Sequence, residues 1–80
     1  MNTKEDILSE IQEALVGLFE IDPAAINPAA RLNEDLEIDS IDAVDLLDRL
    51  QRKLQRKISA EEFRSVRTVS DLVDAIYKLV

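Results

Sequence analysis

The stretch LEIDSIDAVDLLDRL, Leu36 to Leu50, sets one hydroxyl among carboxylates. Ser40 follows Asp39 and precedes Ile41 and Asp42, with Asp35 and Glu37 upstream and Asp45 and Asp48 downstream. Two readings fit a serine in that setting. Asp39 and Ser40 can both be structural, because Asp is a strong N-cap and Ser is ordinary in a first turn. Alternatively, the hydroxyl is held out for another molecule to use. Carboxylates are the only other acid/base groups of note, since the chain has no cysteine and no histidine. Disulfides, thiolate nucleophiles, imidazole bases and Cys/His zinc sites are therefore excluded. An 80-residue chain also has little room for a desolvated cleft that would shift a carboxylate pKa. An enzyme working through paired carboxylates is not expected.

The elements that must position Ser40 follow from composition and period. Eighty residues make one domain, 1–80, near the lower size limit for a self-sufficient core. One glycine and two prolines, against 46% hydrophobic and 34% charged residues, predict a mostly helical chain. The only aromatics are Phe19, Phe63 and Tyr77, so the core must be aliphatic. A net charge of −7 argues against nucleic acid and anionic membranes and favours basic partners. No apolar run is long enough to span a bilayer, and MNTKEDILSE does not read as a signal peptide, so a cytoplasmic location is expected.

A first helix is predicted from about Lys4 to Glu20, capped by Thr3 with Asp6 at the capping-box position. Ile7, Leu8, Ile11, Ala14, Leu15, Leu18 and Phe19 form its apolar arc. The next stretch, Ile21 to Asp39, holds both prolines and no period, which predicts a long connection. Ile26, Leu32, Leu36 and Ile38 are spaced to pin it to the core. A second helix is predicted from Asp39 or Ser40 to about Arg56. Ser59 and Glu62 mark a short third helix with Phe63 and Val66 as anchors. Thr68 and Asp71 mark a fourth, with Val69, Leu72, Val73, Ile76, Leu79 and Val80 on its arc. The expected fold is all-α, a four-helix bundle of three long helices and one short third helix, with a long loop between the first two.

Helix two is ordered by charge. Glu34 to Asp48 holds seven acids and no base, and Arg49 to Lys57 holds five bases and no acid. That order complements the helix macrodipole, and Asp45–Arg49 and Asp48–Arg52 are favourable i,i+4 pairs. At 100° per residue, Ala43, Val44, Leu46, Leu47, Leu50 and Leu54 make the buried side. Ile41 falls among the charges. Either it tucks into the preceding loop, or it is a contact residue for a partner inside an acidic ring.

The pinned loop, the run DLEIDSIDAVDLL, the short third helix and the capped fourth together resemble the acyl carrier proteins, over essentially all 80 residues. These are four-helix bundles with a D-S-L-type motif at the start of helix two. The resemblance implies 4′-phosphopantetheine, a covalent cofactor, on Ser40, with a terminal thiol that carries acyl groups as thioesters. It makes Asp39 the motif aspartate and sets Ile41 where leucine is common. Asp42 and Asp45 match acidic positions of the recognition helix; Asp48, Arg49 and Arg52 are expected to join them on the partner face from the charge order of helix two itself. The implied partners are a phosphopantetheinyl transferase, a ketosynthase and other type II synthase enzymes, met by a monomer. A helix N-terminus at Ser40 would favour the arm's phosphodiester through its free N–H groups and dipole, while the neighbouring aspartates oppose it and are expected to serve recognition or the transferase instead.

Three departures from the family pattern point to a specialised type II carrier, of aryl-polyene or polyketide type, rather than the general fatty-acid carrier. Glu37 and Ile38 stand where the family often has a glycine in D-L-G-x-D-S. Asp48 replaces an apolar residue, and Arg49, Arg52 and Lys53 replace an acidic or neutral second half of helix two. The main alternative is a small acidic helical adaptor that carries no prosthetic group.

Overall fold

Side-chain caps fix where each helix begins. A computed structural model of the chain describes residues 3–80. The first helix, α1, is Lys4–Phe19, and Thr3 caps it by accepting from the Asp6 N–H at 3.1 Å. The second, α2, is Ser40–Leu54, capped by Asp39. The third, α3, is Ala60–Arg64, where Ser59 Oγ accepts from the Glu62 N–H at 3.0 Å. The fourth, α4, is Val69–Tyr77. Its cap is reciprocal: Thr68 Oγ1 accepts from the Asp71 N–H, and Asp71 Oδ2 accepts from the Thr68 N–H, each at 3.1 Å. Each cap satisfies donors that a first turn leaves without helical partners.

Two helices stop earlier than the apolar period alone predicts. Gln55 turns left-handed at φ 54° and ends α2 at Leu54, short of Arg56. The Leu79 N–H closes on the Ile76 carbonyl at 2.9 Å, a tighter turn that ends α4 at Tyr77. Leu79 therefore packs only at the edge of the core, and Val80 is exposed. Leu18, expected on the buried arc of α1, is also exposed.

The core is aliphatic. Ile7, Ile11 and Leu15 of α1, Leu46 and Leu50 of α2, and Val69, Leu72 and Ile76 of α4 are at most 1% exposed. At roughly 1.5–3 kcal/mol for each such side chain removed from water, they dominate the stabilisation. α1 packs on both α4 and α2, while α3 packs on α4. No helix among the described residues is long and apolar enough to cross a membrane.

The long connection is ordered, and it fixes the entry to α2. Ile26, Leu32, Leu36 and Ile38 are all buried, as the spacing predicts, and Ala30 joins them. A single 3₁₀ turn, Pro23–Ala25, opens it. Further on, Arg31 is the hub. Its guanidinium pairs with Glu34 at 2.6 Å and with Asp35 at 3.2 Å, and its own N–H donates to Asp35 Oδ2 at 2.8 Å. Backbone bonds then tie the loop to the start of α4: the Leu32 N–H to the Arg67 carbonyl at 2.9 Å, and the Val69 N–H to the Ala30 carbonyl at 3.0 Å. Ser40 thus leaves a loop anchored from both sides.

Candidate functional site

At the head of α2 the roles of Asp39 and Ser40 separate. Asp39 Oδ1 accepts from the N–H groups of Ile41 at 3.0 Å and Asp42 at 2.9 Å. The cap is therefore complete without the serine. Ser40 is exposed, and its hydroxyl makes no hydrogen bond among the described residues. Thr3, Ser59 and Thr68 differ in that each uses its side-chain oxygen as a cap. One expectation is corrected here. The first-turn N–H groups of Ile41 and Asp42 are not free for a phosphodiester, because the Asp39 carboxylate already occupies them. An anion on Ser40 gains the dipole of α2 at that end but not those two donors, and it stands beside a negative cap.

The backbone leading into the site is strained at one residue. Glu37 has φ 57°, in the left-handed region that glycine adopts freely and other residues adopt at a cost. It is the residue at which the resembled D-L-G-x-D-S pattern has glycine. The turn is held on both sides, by Leu36 and Ile38 in the core and by the Ile38 carbonyl accepting from Asn33 Nδ2 at 3.1 Å.

Beside Ser40 lies a groove of about 670 Å³ between α2 and α3. Ala43 and Leu47 of α2, Phe63 of α3, Val66 beyond it and Leu32 and Ile38 of the loop supply its apolar lining. Asp39, Ser40, Arg64 and Arg67 also border it. Phe63 and Val66 were legible as apolar anchors, but the groove was not. It exists because α3 is only five residues long and packs on α4, which leaves the flank of α2 uncovered.

The helical-wheel reading of Val44 is corrected by its exposure. The wheel assigns Val44 to the buried side, yet it is 65% exposed. Leu46, Leu50 and Leu54 form the buried line at i, i+4 and i+8, and Val44, at the edge of the apolar arc, borders the groove instead. Ile41, at 74% exposed, does not tuck into the loop. Two neighbouring branched side chains therefore project from the first turns of α2.

The charged residues divide. Asp45 and Asp48 are exposed, and Asp48 Oδ2 pairs with Arg52 Nε at 3.1 Å. The Asp45–Arg49 pair does not form. Instead Arg49 lies toward α1, both terminal nitrogens 3.9 Å from where a Cβ on Gly17 would stand. Arg49 thus brings a cation to a last turn of α1 that has no base of its own. Asp42 is half-buried and borders a polar hollow with Glu20, Asp35 and Glu37. Arg31 hydrogen-bonds the Asp35 side chain and holds its carboxyl below the usual carboxylate range, the Arg31 N–H adding to the effect. No group of residues able to hold a metal ion is found among the described residues.

An exposed, uncommitted hydroxyl beside an apolar groove suits a covalently attached arm with an apolar cargo. Comparisons with known proteins show the family of the chain as a whole. Residues 9–76 match the family described as "Phosphopantetheine attachment site". The chain is similar to acyl carrier protein 2 of Ralstonia nicotianae, 47% identical over 78 residues, covering 98% of this chain and 96% of that one. It is 35% identical over 77 residues to the meromycolate extension acyl carrier protein of Mycobacterium leprae, covering 96% and 67%. Its backbone superposes on the solution structure of the apo doublet acyl carrier protein from prodigiosin biosynthesis. The TM-score is 0.79 at 20% identity, over 99% of this chain and 38% of the doublet.

Proposed function

The chain belongs to the acyl carrier proteins of the phosphopantetheine-attachment family, and from that premise we propose that Ser40 is the residue that bears the arm. The family is one of carriers, not catalysts, and its cofactor is covalent 4′-phosphopantetheine, which supplies a thiol for acyl thioesters. The chain has no cysteine, so any thiol it presents is borrowed. One observation carries the assignment. The Ser40 hydroxyl is exposed and, among the described residues, unbonded, because the Asp39 carboxylate caps α2. Ser40 also borders the apolar groove, in which an acyl chain can be sheltered from water.

The partner face in this reading is the exposed side of α2: Ile41 and Val44 beside Ser40, with Asp42, Asp45 and Asp48 around them. A phosphopantetheinyl transferase and then synthase enzymes, a ketosynthase among them, dock there in turn. We read the carrier as a specialised type II one, acting as a cytoplasmic monomer. Glu37, Asp48 and the bases after it support that, as does likeness to a carrier named for meromycolate extension.

The test is intact mass after incubation with coenzyme A, magnesium and a broad phosphopantetheinyl transferase. The expected gain is one phosphopantetheinyl group. Trypsin should place it on the peptide Leu32 to Arg49, in which Ser40 is the only hydroxyl residue. An unchanged mass would favour the adaptor reading, and a modified peptide elsewhere would remove Ser40.

A further inference from the structure

We propose that the outward face of α2 is a docking stripe whose charge reverses along its length, and that the cognate synthase enzyme offers a base opposite Asp45 and Asp48 and an acid opposite Arg52. The proposal rests on the carrier reading above and adds the chemistry of the partner.

Ile41, Asp45, Asp48 and Arg52 stand at i, i+4, i+7 and i+11, one strip of a helix, and Val44 flanks it at i+3. All five are exposed. The strip is about 16 Å long. It begins apolar beside Ser40, continues acidic and ends basic. The fold itself accounts for two of the other bases of α2 and its end. Arg49 lies over Gly17, and Arg56 Nε donates to the Leu79 carbonyl at 3.2 Å. Arg52 is the base left on the strip. Among the described residues it pairs only with Asp48, and with the two side chains 79% and 57% exposed the pair is cheap to open.

A uniformly basic patch would meet the acids but set like charge against Arg52. A patch with one acid at that place matches the whole strip and in one direction only, which fixes orientation as well as partner. A second copy of this chain, run antiparallel, would also match acid to base. The net charge of −7 on each copy opposes that pairing.

The experiment uses the transferase-loaded, acylated protein and a ketosynthase of general fatty-acid synthesis with a basic docking patch. Its patch residues are changed singly to Glu, and kcat/KM is measured at low salt against wild type, Arg52→Glu and Lys57→Glu. Lys57 lies beyond the end of α2, so its reversal changes net charge equally but off the strip. With the unmodified enzyme, Arg52→Glu should raise kcat/KM about three- to tenfold and Lys57→Glu less than about twofold. One patch Glu should improve the wild type and impair Arg52→Glu. Equal effects of the two reversals, or no patch position that couples to Arg52, would overturn the proposal. So would a concentration-dependent dimer in sedimentation that Arg52→Glu disperses, since the strip would then meet a second copy. A protein that the transferase cannot load fails the carrier reading instead, and that is seen by mass before any rate is taken.

Discussion

Asp39 caps the helix that Ser40 begins, and so leaves Ser40 without a structural task. The two residues are adjacent, yet substitution should separate them. Ser40→Ala removes an exposed hydroxyl that bonds to nothing among the described residues, and should change stability by no more than about 0.5 kcal/mol. It should abolish loading by the transferase. Asp39→Ala should cost about 1 kcal/mol, because two first-turn N–H groups lose their acceptor. Urea unfolding beside intact mass checks both. A Ser40→Ala protein that still gains the arm, or one that unfolds, would reverse the assignment.

Ile41→Glu and Val44→Glu should leave unfolding free energy within about 0.5 kcal/mol of wild type, since both side chains are already in water. Leu46→Ala, by contrast, should cost about 2–5 kcal/mol, because Leu46 is wholly buried between the helices. Transferase and ketosynthase rates should show the opposite order, falling most for Ile41→Glu. A large stability loss at Ile41 would make it a core residue and remove it from the partner face.

How far such residues were legible depended on whether the signal was local. Thr3, Asp39, Ser59 and Thr68 cap as their residue types demand, and Ile26, Leu32, Leu36 and Ile38 pin the loop as their spacing demands. Ile41 was separable because its charged neighbours surround it on the wheel. Val44 was not, because it lies at the edge of the apolar arc, where the packing of other elements and not the period of α2 decides burial. The spacing within α2 predicts Arg49 as a partner of Asp45, four residues away. Arg49 turns to α1, whose Gly17 leaves room above the backbone, and no period within α2 carries that information.

Glu37 tests how much strain the site entry holds. A left-handed φ costs a residue with a side chain about 1–2 kcal/mol, and glycine nothing. Glycine loses more freedom on folding, by roughly 0.5–1 kcal/mol. Glu37→Gly should therefore be stabilising by up to about 1 kcal/mol, with loading by the transferase retained. Thermal unfolding would decide: a lower melting temperature would mean that the Glu37 side chain supports the fold.

Acid should weaken the fold through its hydrogen-bonded carboxylates. The N–H groups of Thr68 and then Arg67 donate to Asp71 and lower its pKa from the ordinary 3.8. Arg31 does the same to Asp35. A carboxyl whose folded pKa lies below its unfolded value binds more protons when unfolded. Its contribution is therefore present above the unfolded pKa and is lost as pH falls through it toward the folded one. Wild-type stability should hold at neutral pH and decline below roughly pH 5. Asp71→Asn should be less stable at pH 7, because α4 loses part of its reciprocal cap, and its decline in acid should be shallower. Both carboxylates lie at the surface, where solvent and salt weaken such effects, so the slopes are best compared at low ionic strength. Urea unfolding of both proteins across pH 3 to 7 supplies the comparison. Parallel profiles would show that Asp71 titrates alike in the folded and unfolded chain, and that its bonds to Thr68 and Arg67 contribute nothing to the acid sensitivity.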